Sequence, residues 1–421
     1  MITLSIYKII ANFFRPFFFI FFLSRLLRNK EEKGNFSERR GFCKIKKPQG
    51  KLIWIHAASV GETLSAIPLI DELIKLAPEN NILLTTGTKT SKDIFSKRGI
   101  KGVIHQYLPW DVKSYCVRFL SHWDPDISVF IESEIWPNIL IETQKKGIPI
   151  ALVNARITKK SEAKWSNFKK TIQYLLSIFS IIISQDNLSK KRLENLGGKN
   201  ILMYGNLKHD SKSLPLNKEI FYEFEKNFIN KIMLVAASTH PGEEGGILKI
   251  FKNLLSTRPN LFLVLAPRHP DRRDDIIGRI KAEGFSDCDF ILRSNSLAMK
   301  DGIKILILDS IGELGYFYEK ASYVVLGGSF ENIGGHNPIE AARLNNAIFT
   351  GPYFYNFEEE YNGLIECGGA KVINSYDDLK AIKNLSFTKI MALESKNYAD
   401  SLGGAAVKVA TKIIGLENEN K

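Results

Sequence analysis

The sequence predicts an α/β protein of two doubly wound domains, each a parallel sheet with helices on both faces. Three observations predict it. Short runs rich in Ile, Leu and Val alternate with stretches of helical apolar spacing along most of the 421 residues, the alternation that builds parallel sheets. The pattern occurs twice, on either side of a polar, Pro-containing connection at 211–230. Polar clusters recur where the strand-like runs end, the edge on which open α/β sheets bind ligands.

The chain opens on an apolar segment, 2–27, dominated by Ile, Leu and Phe and interrupted by Lys8, Arg15 and Arg25, with Pro16 placed to kink a helix. A spanning helix needs about 20 mostly apolar residues, so this segment is marginal for crossing a bilayer. It suits equally an interfacial helix with snorkelling basic residues; a buried helix of the first domain is the other alternative. Residues 1–50 hold 11 Lys and Arg against 3 Glu, a net of +8 within the chain's +13. Most of the excess charge therefore sits beside the apolar segment, which points to anionic lipid and away from nucleic acid. Arg25, Arg28, Lys30 and Lys33 favour a cytoplasmic location for the rest of the chain. Residues 1–30 are thus expected to form a membrane anchor.

The first domain is expected over 31–210. A strand at Lys51–His56 enters a small-residue turn, Ala57-Ala58-Ser59-Val60-Gly61, and then a helix, Glu62–Leu76, apolar at Leu64, Ile67, Ile70, Leu73, Ile74 and Leu76. Glu62 therefore stands at a strand end, as a candidate site carboxylate or simply as a first-turn acid stabilising the helix dipole. Further strands are read at Ile82–Thr86, Ile127–Ile131, Ile148–Val153, Ile178–Ser184 and Ile201–Tyr204, with a helix at Lys89–Lys97. Glu132, Asn154, Arg156 and Lys208 fall at their ends.

The second domain is expected over 231–421, its last helix able to pack back on the first. Strands are read at Ile232–Ala236, Leu261–Leu265, Ile303–Leu308, Tyr323–Leu326 and Ile348–Gly351, with a helix at Glu243–Leu255. Pro267-Arg268-His269 and Ile311-Gly312-Glu313 sit at strand ends. Arg268 can grip an anion in a forked geometry or pair with Asp271. Leu326–Glu340, LGGSFENIGGHNPIE, reads as a strand end, a glycine loop and a helix with Asn337 as N-cap and Pro338 at its first position. Such a helix start favours a phosphate, and Glu340 one turn in can hold a ribose diol. Asn337-x-x-Glu340 is equally a capping-box pattern that needs no ligand.

A 44% hydrophobic content is that of a globular chain. The scattered Cys43, Cys116, Cys288 and Cys367 suggest a reducing compartment. No G-x-x-x-x-G-K loop is present, and no G-x-G-x-x-G follows the first strand, which weakens a dehydrogenase reading. His56, His209, His240, His269 and His336 lie near strand ends without metal-type spacing. Hydrogen bonding to phosphate or carboxylate suits them better, and no metal is expected.

HAASVGET, ESEIWPN, LVNARIT, GNLKHD, AASTHPGEE, APRHPDR, DSIGEL and GGHNPIEAA occur in this order. Together they resemble the 3-deoxy-D-manno-octulosonic acid (Kdo) transferases of lipopolysaccharide assembly, from about Lys51 to Pro352, with an N-terminal anchor also like the family's. The resemblance implies a GT-B fold of two Rossmann-like domains facing one another across a cleft, acceptor domain first and donor domain second. It implies transfer of Kdo from CMP-Kdo to lipid IVA, with inversion and without a metal, at the cytoplasmic face of the bacterial inner membrane. It implies Glu62 as general base, Glu132 and Lys208 supporting the transition state, and CMP bound by Pro267, Arg268, Ile311, Gly312, Glu313, Asn337, Pro338, Ile339 and Glu340. His209 stands where relatives more often carry an apolar or aromatic residue. Two other classes compete: a non-catalytic, membrane-peripheral nucleotide-sugar binder, against which the carboxylate at Glu62 speaks, and a nucleic-acid binder, suggested by net charge alone and lacking a base-stacking module.

Overall fold

Parallel strands covered on both faces must be apolar along their whole length, and the strand at Leu52–Ala57 shows it: all six residues are buried. A computed structural model of the chain describes residues 2–28, 30–32, 34–210, 228–295, 302–383 and 385–419. The chain divides into two units, Met1–Ser211 with Leu402–Lys421, and Lys212–Ser401. Most of the expected connection, 211–227, lies outside the described residues.

In the first unit, β1 (Leu52–Ala57), β2 (Asn81–Thr86), β3 (Val103–Tyr107), β4 (Ile127–Ile131), β5 (Ile150–Ala155), β6 (Ile181–Ser184) and β7 (Ile201–Met203) form one sheet in the order β3-β2-β1-β4-β5-β6-β7. Every pairing is parallel. The order reverses between β1 and β4, the switch point where such sheets open a crevice. Side chains alternate between two cores. Leu52 and Trp54 face one, where Trp54 packs on Phe119 and Phe130; Ile53, Ile55 and Ala57 face the other.

The second core is completed from the far end of the chain. Ala405, Ala406, Val409, Ala410 and Ile413 of the helix Ala405–Glu419 are buried in it. The Asp210 carboxylate accepts the Gly404 and Ala406 N–H groups, each at 2.6 Å, and so ties that helix start to the first unit. The second unit accordingly ends at Ser401 and not at Lys421.

In the second unit, β8 (Ile232–Thr239), β9 (Leu261–Pro267), β10 (Phe290–Leu292), β11 (Ile305–Ile307), β12 (Tyr323–Leu326), β13 (Ala347–Thr350) and β14 (Ala370–Val372) lie in the order β10-β11-β9-β8-β12-β13-β14, again parallel throughout. Here the switch point falls between β8 and β12. β3, β10 and β14, absent from the sequence reading, are edge strands with partly exposed residues, so they lack the solid apolar run of an inner strand.

The N-terminal segment forms two helices, Ile2–Phe13 and Phe17–Leu27, bent by 68° where Pro16 interrupts the backbone ladder. Among the described residues no single helix is long and apolar enough to cross a membrane; only this bent pair has the length and composition, taken together. One side packs on the first unit. Phe18 stacks on Trp110 at 4.9 Å, Phe22 is buried, Tyr7 donates to Asp111 at 2.8 Å, and Arg15 donates to Tyr115 at 3.1 Å. The other side leaves Ile6, Ile9, Ile10, Phe13, Phe17 and Ile20 exposed.

Candidate active site

The first unit gathers its chemistry at its switch point. After β1 the turn ends in Ser59, the N-cap of the helix Val60–Leu76, and Ser59 and Glu62 form a full capping box. Glu62 Oε2 accepts the Ala58 N–H at 2.6 Å and the Ser59 N–H at 3.3 Å, while the Ser59 hydroxyl donates to Oε1 at 3.0 Å. The carboxylate is thereby fixed, with 8% of the residue exposed and acceptor capacity left for a substrate hydroxyl.

Two more carboxylates lie close. β4 ends at Glu132, which adopts φ +61, and β5 carries Asn154 at φ +54 within a break in register. Left-handed backbone at a non-Gly residue is strained and gathers at functional sites. It turns Glu132 toward Ser65 Oγ (3.3 Å) and Lys208 Nζ, which donates to Oε1 at 2.8 Å. Asn154 Oδ1 accepts the Leu207 N–H at 2.9 Å and thus places the turn that carries Lys208. Glu134 receives His56 Nε2 at 3.3 Å and the Trp136 indole N–H. Burial opposes ionisation of Glu134, but His56 and Trp136 outweigh it and hold its carboxyl below the ordinary value. The opposite holds at Glu62. Burial, then the charge of Glu134 with a smaller addition from Glu132, push its carboxyl up against the pull of the Ala58 N–H and His56. Different environments thus separate the titration of neighbouring acids. Sequence reading found Glu62, Glu132 and Lys208, which the structure brings together. It gave Glu134 no role, although Glu134 stands inside a quoted motif, and it read His56 as a strand-end histidine suited to a phosphate or carboxylate; the carboxylate is that of Glu134.

In the second unit the ends of β8, β9 and β12 carry the polar groups. Ser238, at φ +55, breaks the β8 register just before His240. Glu243, fully buried, accepts three backbone N–H groups: His240 at 2.9 Å and Gly328 at 2.8 Å on Oε2, and Phe330 at 3.0 Å on Oε1. It stitches the loop after β8 to the glycine loop after β12, and sequence reading gave it no role. At Gly328, φ +69, a Cβ would meet the His336 ring at 2.9 Å, so only glycine lets that ring so close.

His336 and His240 stack, their Nε2 atoms 2.9 Å apart, with His269 edge-on to His240. One ring must donate and the other accept, so the pair cannot be doubly protonated. Burial first, then His240, Arg268 and His269, push His336 down to about 4. Arg268 is exposed and makes no ion pair among the described residues, so the expected alternative with Asp271 is not formed. These clustered N–H donors beside the Arg268 guanidinium suit an anion.

The helix after the glycine loop differs from its reading. It is five residues, Ile339–Arg343, with Pro338 rather than Asn337 at the N-cap. Asn337 Oδ1 accepts the Ile339 N–H at 3.0 Å, two residues on, and not the Glu340 N–H that a capping box would use. The capping box is therefore not formed, and so short a helix has little dipole; the attraction for an anion comes from the Arg268 charge, and the histidines can add N–H donors. Glu340 keeps an exposed edge, while the surrounding protein raises its carboxyl and Asn337 pulls it back. Pro267 and Ile339 are buried and act as framework. Ile311–Glu313 follow β11, the neighbour of β9: Ile311 is 88% exposed, Gly312 has φ +90, and Glu313 is held by Arg293 at 2.6 Å and by Ser310. No group of three or more His, Cys, Asp or Glu placed to hold a metal occurs among the described residues.

A family model described as 3-deoxy-D-manno-octulosonic-acid transferase (kdotransferase) matches residues 34–211. The chain is 34% identical over 398 residues to a 3-deoxy-D-manno-octulosonic acid transferase of Rickettsia bellii, covering 94% of each. It is 34% identical over 384 residues to one of Haemophilus influenzae, covering 89% of this chain and 86% of the relative. Among solved structures, UDP-GlcNAc 2-epimerase from Neisseria meningitidis matches with a TM-score of 0.58 at 13% identity, over 88% of this chain and 100% of that one. A glycosyltransferase from Rickettsia africae matches with a TM-score of 0.55 at 12% identity, over 89% and 99%. These two are likenesses of fold.

Proposed function

The chain belongs to the 3-deoxy-D-manno-octulosonic acid transferase family, and from that membership we propose that it transfers Kdo from CMP-Kdo to lipid IVA in lipopolysaccharide biosynthesis, inverting the anomeric carbon. Glu62 is the general base. The single observation that carries this role is its environment: a fixed, buried carboxylate whose pKa is raised by burial and by Glu134. A base titrating nearer neutrality takes a hydroxyl proton more readily. As Glu62 takes that proton, the acceptor oxygen bonds the anomeric carbon. The bond from that carbon to the CMP phosphate breaks, and CMP leaves with the electron pair. Positive charge supports the departing phosphate: Lys208, held by Glu132, and Arg268, with the histidines offering N–H donors. The reading calls for no metal. Glu340 receives the ribose of CMP, with Asn337, Pro338 and Ile339 shaping its approach, while Pro267 with Arg268 and Ile311–Glu313 complete the nucleotide site.

The same proposal places the protein at the cytoplasmic face of the inner membrane. The exposed apolar side of the N-terminal helices dips into the interface and the basic residues after them meet anionic headgroups. Purified protein incubated with lipid IVA and a CMP-Kdo supply should give products heavier by whole Kdo units in mass spectrometry. No product from folded, membrane-reconstituted protein would sink the proposal.

A further inference from the structure

A cavity of about 200 Å³ lies within the first unit, against the Glu62 turn. Its apolar walls include the rings of Phe21, Trp110 and Trp136, and Arg25, Glu31 and Arg39 supply polar lining. Ala58, whose N–H holds Glu62 Oε2, is part of the same wall. Aromatic faces with a few placed polar groups among them are the lining of a small-molecule site, and the space suits a single ring.

The polar lining is built and incomplete. Glu31 is 3% exposed; its Oε1 takes both Arg25 Nε at 3.1 Å and Arg39 Nη2 at 2.8 Å. Arg39 is fixed further by the Leu108 carbonyl at 3.1 Å and the Gly87 carbonyl at 2.7 Å. Glu31 Oε2, equally buried, has no partner among the described residues. A buried acceptor without a donor is costly, and a ligand hydroxyl would supply one. A sugar ring offers both complements: flat C–H faces for the aromatic walls and hydroxyl donors at its rim. Phe21 belongs to the helix Phe17–Leu27, where Phe17 and Ile20 are exposed. A molecule hydroxylated at one end and apolar at the other can therefore fill the cavity while its chains follow that helix.

We propose that this cavity is the subsite for the sugar end of the glycolipid acceptor, which it delivers to Glu62; the proposal rests on the transferase reading above. Full-length protein is titrated calorimetrically with the acceptor stripped of its acyl chains. Wild type should bind. Trp136→Ala, which removes an aromatic wall, and Leu108→Phe, which fills the space, should each weaken binding by about tenfold or more, as loss of a central contact does. CMP affinity and thermal midpoint should stay unchanged, and Trp136→Phe, which keeps a ring, should retain most of the binding. Absence of binding by wild type, or unchanged affinity in both folded variants, overturns the proposal. Kdo transfer to the intact acceptor is assayed separately: sugar binding without transfer would count against the transferase reading and leave the subsite standing.

Discussion

Replacing Glu62 by Gln separates the two things its carboxylate does. Gln still accepts the Ala58 and Ser59 N–H groups and still suits the third helical position of a capping box, so the turn should hold. The basicity is gone, and transfer should fall by at least about a hundredfold while CMP affinity stays at its wild-type value. Near-normal turnover by the folded variant would remove Glu62 from the mechanism. Glu340→Ala is decisive for a different reason. Since no capping box forms there, truncation should cost little stability, yet CMP binding should weaken by roughly tenfold or more if the carboxylate holds the ribose. Calorimetry with CMP reads both. The sequence exposed these residues because a carboxylate just past an apolar run is conspicuous. That the carboxylate His56 meets is that of Glu134 was harder to see, since the contact depends on two strands, β1 and β4, that pair only in the fold.

Among the elements, the glycine loop after β12 is held chiefly by one buried side chain. Glu243→Ala would leave the N–H groups of His240, Gly328 and Phe330 without their acceptor. At about 1–3 kcal/mol for each unsatisfied buried group, the unfolding free energy should drop by several kcal/mol, and CMP affinity should drop with it as His240 and His336 lose their placement. Urea unfolding and CMP titration check this together; an unchanged urea midpoint would show that the loop holds itself. Inner strands such as β1, β4 and β12 were legible because burial on both faces demands continuous apolar sequence. β3, β10 and β14 were not, because edge positions relax that demand. The one-residue shift at Asn337 was also beyond sequence reading, because Asn caps and Asx turns use the same atoms.

The molecule as a whole should respond to solution conditions in two ways. His105 Nε2 lies 2.9 Å from Thr86 Oγ1, and burial, then Lys92 and Arg39, push its pKa from 6.5 down to about 4. The folded state thus binds this proton less well than the unfolded chain. Its contribution is complete above about pH 6.5 and is lost as pH falls toward 4, at most about 3 kcal/mol. His105→Gln should flatten the decline of the urea midpoint between pH 7 and pH 4.5, and an unaltered slope would assign the acid sensitivity elsewhere. The second response concerns lipid. Changing Ile9, Phe13, Phe17 and Ile20 to Ser leaves Phe18 and Phe22 packed inward. With about 1.5–3 kcal/mol for each large apolar side chain taken from water, binding to anionic vesicles should fall by well over tenfold, with the thermal midpoint retained. Co-sedimentation with vesicles measures it, and undiminished binding would move the attachment to the basic residues alone. The apolar character of this segment was plain in the sequence; that one side packs on the first unit was not, since Trp110 and Asp111, which receive it, lie some hundred residues away.

The return of the helix Ala405–Glu419 to the first unit bears on how the chain is made. A ribosome delivers residues from the N-terminus, and domains tend to fold as they emerge. The stretch 212–401 is contiguous and can close as soon as it is complete. The first unit cannot, although its strands are synthesised first: the places of Ala406, Val409 and Ile413 beside Leu69 and Leu73 stay empty until the helix Ala405–Glu419 leaves the exit tunnel. Through most of translation a strip of the helix Val60–Leu76 is left without its cover. A nascent chain stalled before Leu402 should therefore be cut readily by protease within 1–211, and one released after Glu419 should resist.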